Sequence, residues 1–184
     1  MKRYYGCLVN AYDNRVGHFQ YPKDYVAPTN MEEALIMMDR GEKLTLTDGP
    51  FPDYALGCFT EIISQDLKDL FDRYEDSKHI EYLPVLTTSA EYGDRMYYIP
   101  KLPHERNIIN LEESKYLEAQ DIDGHHFDLQ VLVPCFYYDK VKYKDIFTTR
   151  PYGFIDIVVS SRVMNSIRKE KFNKGLSFAP FYAK

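Results

Sequence analysis

The stretch Gly153–Ile167, GFIDIVVSSRVMNSI, runs from an apolar segment into two adjacent serines and then into a helical pattern. One class of hydrolase keeps its nucleophile at such a strand-to-helix turn, on a strained elbow that needs glycine on both sides of the serine. Ser160 and Ser161 are flanked instead by Val159 and Arg162, so the elbow is not encoded. A helix N-cap asks for less: a side-chain oxygen that accepts from an amide two or three positions on. Ser64, in TEIISQDLKDLF, stands in the same setting. Ser64 and Ser160 are therefore expected to cap helices, with Asp66 favourable to the first helix dipole and Arg162 unfavourable to the second.

The histidines give a weaker signal. His125 and His126 are adjacent, so their side chains diverge on a strand or a helix and are poorly placed to share one metal. The surrounding DIDGHHFD, with Asp121, Asp123 and Asp128, lacks the length and terminal glutamate of a calcium loop. His104, in PHER, has no second cluster identifiable nearby in the sequence. The nine glycines never fall at dinucleotide-binding or P-loop spacing. Glu32–Glu33 and Glu112–Glu113 fall in first turns of expected helices, where dipole and solvent account for them. No catalytic residue, metal or cofactor is assigned. A small-molecule-binding or catalytic domain using the loop histidines stays open as the alternative.

The elements that would position these residues read as follows. A strand is expected over 3–12, irregular chain to residue 28, and a helix over 29–41 with a Thr29–Glu32 capping box and a stop at Gly41. Asp48-Gly49 and two prolines make 46–57 a loop. Strands are expected over 58–64, 80–88, 95–102, 129–138 and 142–149, helices over 65–76 and 110–119, the latter capped by Asn110, and a turn over 121–128. Residues 153–181 overlie 57–85 at a constant shift of 96: Gly57 falls on Gly153, Ser64 on Ser160, Lys78 on Lys174 and Pro84 on Pro180, with apolar positions pairing between them. The expected class is α+β, a mixed sheet with helices packed on it, containing these two similar strand–helix–strand units in one domain, 1–184, whose first forty residues form a strand-and-helix region.

Composition narrows the function. With 184 residues and a net charge of -5, and with RKEKFNK as the only short basic run, the chain lacks the basic stripe that nucleic acid requires. Asn10, Asp13 and Asn14 interrupt the N-terminal apolar stretch before secretory length, and no window approaches the ~18 apolar residues of a membrane span. Cys7, Cys58 and Cys135 are far apart and odd in number, which suits reduced thiols. The cytoplasm is the expected compartment. Seventeen tyrosines and no tryptophan suit a binding surface, although tyrosine is also common in strands.

The order EIISQDLKDLF and IEYLPV, then YYIPKL and NIINLEESKY, then DIFTT, then IVVSSRVMNSI and GLSFAPF resembles the bacterial immunity proteins of polymorphic toxin systems, over roughly 41–182. The chain departs from the family pattern around NIINLEES, where the usual aspartate is replaced, and its first forty residues lie outside the match. The resemblance implies a non-enzymatic protein that binds a cognate toxin and blocks it, and it transfers no catalytic residue. Expected partner contacts are Tyr97 or Tyr98, Tyr137 or Tyr138, and the acidic loop Asp121 and Asp123. A homodimer through a sheet edge is a further expectation.

Overall fold

The computed structural model describes residues 3–10, 16–57, 60–102, 107–120, 127–148 and 157–184. The fold is α+β. Its strands are β1 (Arg3–Asn10), β2 (His18–Gln20), β3 (Leu44–Thr47), β4 (Tyr54–Gly57), β5 (Thr60–Ser64), β6 (Glu81–Ser89), β7 (Gly93–Lys101), β8 (Lys115–Gln120), β9 (Phe127–Val133), β10 (Cys135–Phe136), β11 (Ile146–Thr148), β12 (Ile157–Ser160) and β13 (Leu176–Ala183). The α-helices are α1 (Met31–Asp39), α2 (Gln65–Phe71), α3 (Tyr138–Val141) and α4 (Ser161–Glu170). Contacts cluster in two units: Val9–Leu102 with Asn165–Ser177, and Met1–Leu8 with Pro103–Met164 and Phe178–Lys184.

The first of these units holds a six-stranded mixed sheet in the order β2-β3-β6-β7-β5-β4, with β3 and β6 parallel. Alternating side chains of β6 are buried, the period that puts one face of a strand on a core. That core gathers Ala34, Leu44, Leu46, Phe51, Ile62, Leu83, Val85, Tyr97 and Ile99. Tyr97 lies at its aromatic centre, with ring centroids 5.0 Å from Phe19 and 5.9 Å from Phe51. Helix α2 buries Leu67, Leu70 and Phe71, the stripe its spacing encodes.

The second unit holds a five-stranded sheet in the order β10-β13-β1-β12-β11, also mixed, with β10 and β13 parallel, and β8 paired with β9 as an antiparallel hairpin. Tyr5 occupies its aromatic centre, edge-on to Phe136 at 5.8 Å and Phe147 at 5.6 Å.

The two sheets repeat one another ladder by ladder. Ser64 pairs with Tyr97 as Ser160 pairs with Tyr5. Tyr54 opposes Ile63 as Ile146 opposes Val159. Leu44 meets Thr87 in parallel as Phe136 meets Ala183. The strands β3, β4, β5, β7 and β6 thus correspond to β10, β11, β12, β1 and β13. The 96-residue shift holds for the strand–helix–strand units, and a shift of 92 holds for the strands before them. The counterpart of β7 comes from residues 3–10, not from chain that follows β13.

Several expectations are corrected. The strands form two mixed sheets and a hairpin, so the two serine units lie in different sheets and not in one. The chain over 46–57 is not loop throughout, because β3 ends in it and Tyr54–Gly57 pairs with β5 as an edge strand. The irregular stretch before α1 contains β2. Lys115–Gln120 is a strand, not part of a helix, since its backbone pairs antiparallel with Phe127–Val133 and a short segment's own helical preference is weak. The N-cap of α1 is Asn30, which accepts from Glu33 N at 2.9 Å, while the Glu33 carboxylate accepts from Thr29 N at 2.7 Å, so the capping box is displaced by one residue.

This correspondence makes a testable statement about chain order. Moving residues 3–10 to follow Lys184 through a turn as short as the β6–β7 connection should leave the far-UV circular dichroism unchanged and the unfolding midpoint within about 4 °C, the shift of ~1 kcal/mol in a protein of this size. Deleting residues 3–10 removes an interior strand of the five-stranded sheet and should abolish cooperative unfolding.

Candidate functional site

Each serine joint is built from three elements. In the unit of Val9–Leu102, the chain entering β4 presents Asp53, the end of β5 presents Ser64, and β7 presents Tyr97. Ser64 N donates to Asp53 O at 2.8 Å, and the Ser64 hydroxyl accepts from Leu67 N at 3.3 Å, capping α2. The Tyr97 hydroxyl donates to the carbonyl of Pro52. In the other unit Ser160 N donates to Asp145 O at 2.9 Å, and the Ser160 hydroxyl donates to Asp145 Oδ1 at 2.5 Å and accepts from Val163 N at 3.4 Å. Tyr5 donates to Val141 O at 2.5 Å. Ser160 is fully buried and engaged on both sides, so its hydroxyl serves the joint.

The copies differ in what meets the aspartate. Asp145 Oδ2 accepts from the guanidinium of Arg162, the second residue of α4. The same helix position in the other copy is Asp66, so among the described residues no arginine of the helix meets Asp53; its Oδ2 accepts from the backbone N–H of Lys174 at 2.8 Å. An open cleft of about 280 Å³ lies at this joint, lined by Phe51, Asp53, Gln65, Asp66, Arg95 and Lys174 among others. Burial holds the Asp53 carboxyl above its ordinary 3.8, with Asp66 pushing the same way and the Lys174 amide, the Lys174 charge and the Ser64 hydroxyl opposing. The Tyr97 hydroxyl is likewise raised by burial.

Among the exposed apolar groups of the described residues, two sets lie on or beside one helix each. Helix α1 buries Ala34 and sets Met37 and Met38 beside Pro84, Val85 and Leu86 of β6, while Met31, Leu35 and Ile36 are 37%, 49% and 42% exposed. Glu32, Asp39 and Glu42 are exposed around them. At α3, Tyr137 is 40% and Tyr143 85% exposed, with Lys140 lying over the Tyr137 ring and Lys142 over the Tyr143 ring.

The residues expected at a partner surface are thus dispersed. Tyr97 is 1% exposed and belongs to the core, which corrects its assignment to a surface. Tyr98 is half-buried and donates to Gln65 Oε1; Tyr137 is exposed and Tyr138 half-buried. Asp121, Asp123, His104, His125 and His126 lie outside the described residues. Cys135 is buried. Asp53 and Asp145 escaped the sequence reading because their 92-residue separation breaks the 96-residue register. Tyr143 was hidden in an expected strand. Among the described residues, no helix is long and apolar enough to cross a membrane.

No model of a known protein family matches the chain, and no curated protein matches it.

Two predictions follow from the joints. Ser64→Ala should cost about 1 kcal/mol, the value of a lost cap. Ser160→Ala should cost more, about 2–3 kcal/mol, because Ser160 is fully buried where Ser64 is half-buried, so the partners it leaves unpaired are further from water; equal losses in urea unfolding would contradict this difference. Because folding raises the Asp53 pKa, the folded chain holds that proton more tightly than the unfolded chain, so acidification adds stability at this residue. Wild type should therefore gain stability relative to Asp53→Asn as pH falls from about 7 to about 4. A pH-independent difference between the two would show that Asp53 is not raised.

Proposed function

We propose that this chain is a non-enzymatic immunity protein that binds and neutralises a cognate bacterial toxin in the cytoplasm of the producing cell. The observation that carries the binding role is the exposed apolar side of α1. Met31, Leu35 and Ile36 keep apolar surface in water, an arrangement that gains free energy when a partner covers it. Carboxylates surround them: residues 24–42 hold five acidic residues and one arginine, so a partner surface combining apolar and basic groups fits this face. Methionine adds adaptability, since its unbranched side chain fits irregular partner surfaces. The exposed Tyr137 and Tyr143 supply large area at small entropic cost and form a second contact candidate. The step from binding to toxin neutralisation rests on the resemblance of the segments around Ser64, Tyr97 and Ser160 to immunity proteins.

The test is binding to the product of a toxin gene adjacent to this one. Wild type should bind that product and protect cells expressing it. Leu35→Asp should weaken binding by about tenfold or more, as loss of a buried apolar anchor does, with the unfolding midpoint unchanged because Leu35 is already exposed. Failure of wild type to bind or protect would overturn the reading. Loss of self-association in Leu35→Asp, in a protein that does not bind the toxin, would assign the face to a homodimer.

A further inference from the structure

The cleft at Asp53 is the open counterpart of a joint that the chain closes elsewhere with its own arginine. In one copy a buried aspartate, Asp145, takes a guanidinium from the second residue of the capped helix. In the other, the matching aspartate is just as buried, at 8% exposure, but the second helical residue is Asp66. A cation is thus replaced by an anion, and the space beside it stands open as a cleft of about 280 Å³. The volume suits a small organic group, and the lining is polar and charged.

We propose that this cleft binds a guanidinium group, seated on Asp66 and Asp53 as Arg162 is seated on Asp145. The pairing registers place Ser64 and Tyr97 where Ser160 and Tyr5 stand in the other copy, and Asp53 and Asp145 each precede the matching edge strand and accept from that serine's amide. A guanidinium is planar and donates through a fork that one carboxylate accepts in pairs and two carboxylates accept together, which a lysine ammonium cannot reproduce. Two cations share the lining, and the Lys174 charge already acts on Asp53, so an incoming guanidinium competes with it there and rests on Asp66 as well. Arg95 lies over the Phe51 ring, 4.8 Å from its centroid, and Lys174 holds Asp53 through its backbone amide. Those two cations also suit a carboxylate on the same ligand. The guanidinium therefore has two possible sources, free arginine with its own carboxylate or an arginine side chain of a protein. The inference does not require the partner to be a toxin.

The test is a titration of the full chain with N-acetyl-L-arginine amide, L-arginine and N-acetyl-L-lysine amide, followed by amide chemical shifts. The blocked arginine should shift Asp53, Ser64 and Gln65 in a saturable manner, and the lysine analogue should bind about tenfold more weakly. Asp66→Asn should weaken arginine binding by about tenfold, corresponding to ~1.4 kcal/mol. Asp66→Arg, with a wild-type unfolding midpoint, should abolish it, because its own side chain takes the seat. L-Arginine binding more tightly than the blocked form would identify the free zwitterion as the source; equal binding would identify a protein side chain. Equal binding of the arginine and lysine probes, or unchanged affinity in Asp66→Asn, would overturn the proposal. Neither result bears on the α1 face, whose test uses Leu35→Asp.

Discussion

A serine hydroxyl held between an aspartate and the first turn of a helix is the contact around which each sheet is arranged. The aspartate lies one residue before an edge strand, the serine at the end of the neighbouring strand, and the serine N–H donates to the aspartate carbonyl in both copies. Edge strand, inner strand and helix start are thereby joined at one point. The next strand inward sets a buried tyrosine opposite the serine, whose ring centres the aromatic core and whose hydroxyl ties back to the segment before the aspartate. Slipping either pairing by one residue would turn that tyrosine to the other face, so the joint specifies register as well as position.

Around this shared joint the copies diverge where binding would occur. One closes its aspartate with Arg162, and the other leaves a cleft where Asp66 stands. The six-stranded sheet also carries α1 and the additional edge strand β2, for which the five-stranded sheet has no counterpart among the described residues. The charged cleft and the exposed apolar helix belong to the copy with the additions, the exposed Tyr137 and Tyr143 to the other, and the internal Arg162–Asp145 pair is the pattern on which the proposal for the cleft rests.

Much of the scaffold was legible because it depends on local signals. Ser64 and Ser160 stand before helical stripes at one spacing from a proline, and those strand–helix–strand units are present in the fold. The second half of the correspondence was not legible, since it lies in pairing between distant segments: Tyr5 reaches Ser160 from 155 positions earlier in the numbering, and no periodicity records that. Lys115–Gln120 looked helical by composition and became a strand through its partner β9. The Pro-rich stretch before Tyr54 concealed an edge strand, a place where proline is tolerated. The cleft was invisible for a further reason. It depends on the contrast between Asp66 and Arg162, which acquires meaning only once both are known to face matching aspartates.

The most direct measurement on the joint is a double-mutant cycle between Ser160 and Asp145, read from urea unfolding of Ser160→Ala, Asp145→Asn and the double variant. If the serine and aspartate act as one structural unit, the coupling energy should be about 1 kcal/mol or more, as for contacting groups in one hydrogen-bond network. Additive losses, with coupling under about 0.3 kcal/mol, would contradict it and reduce the repeated geometry to coincidence.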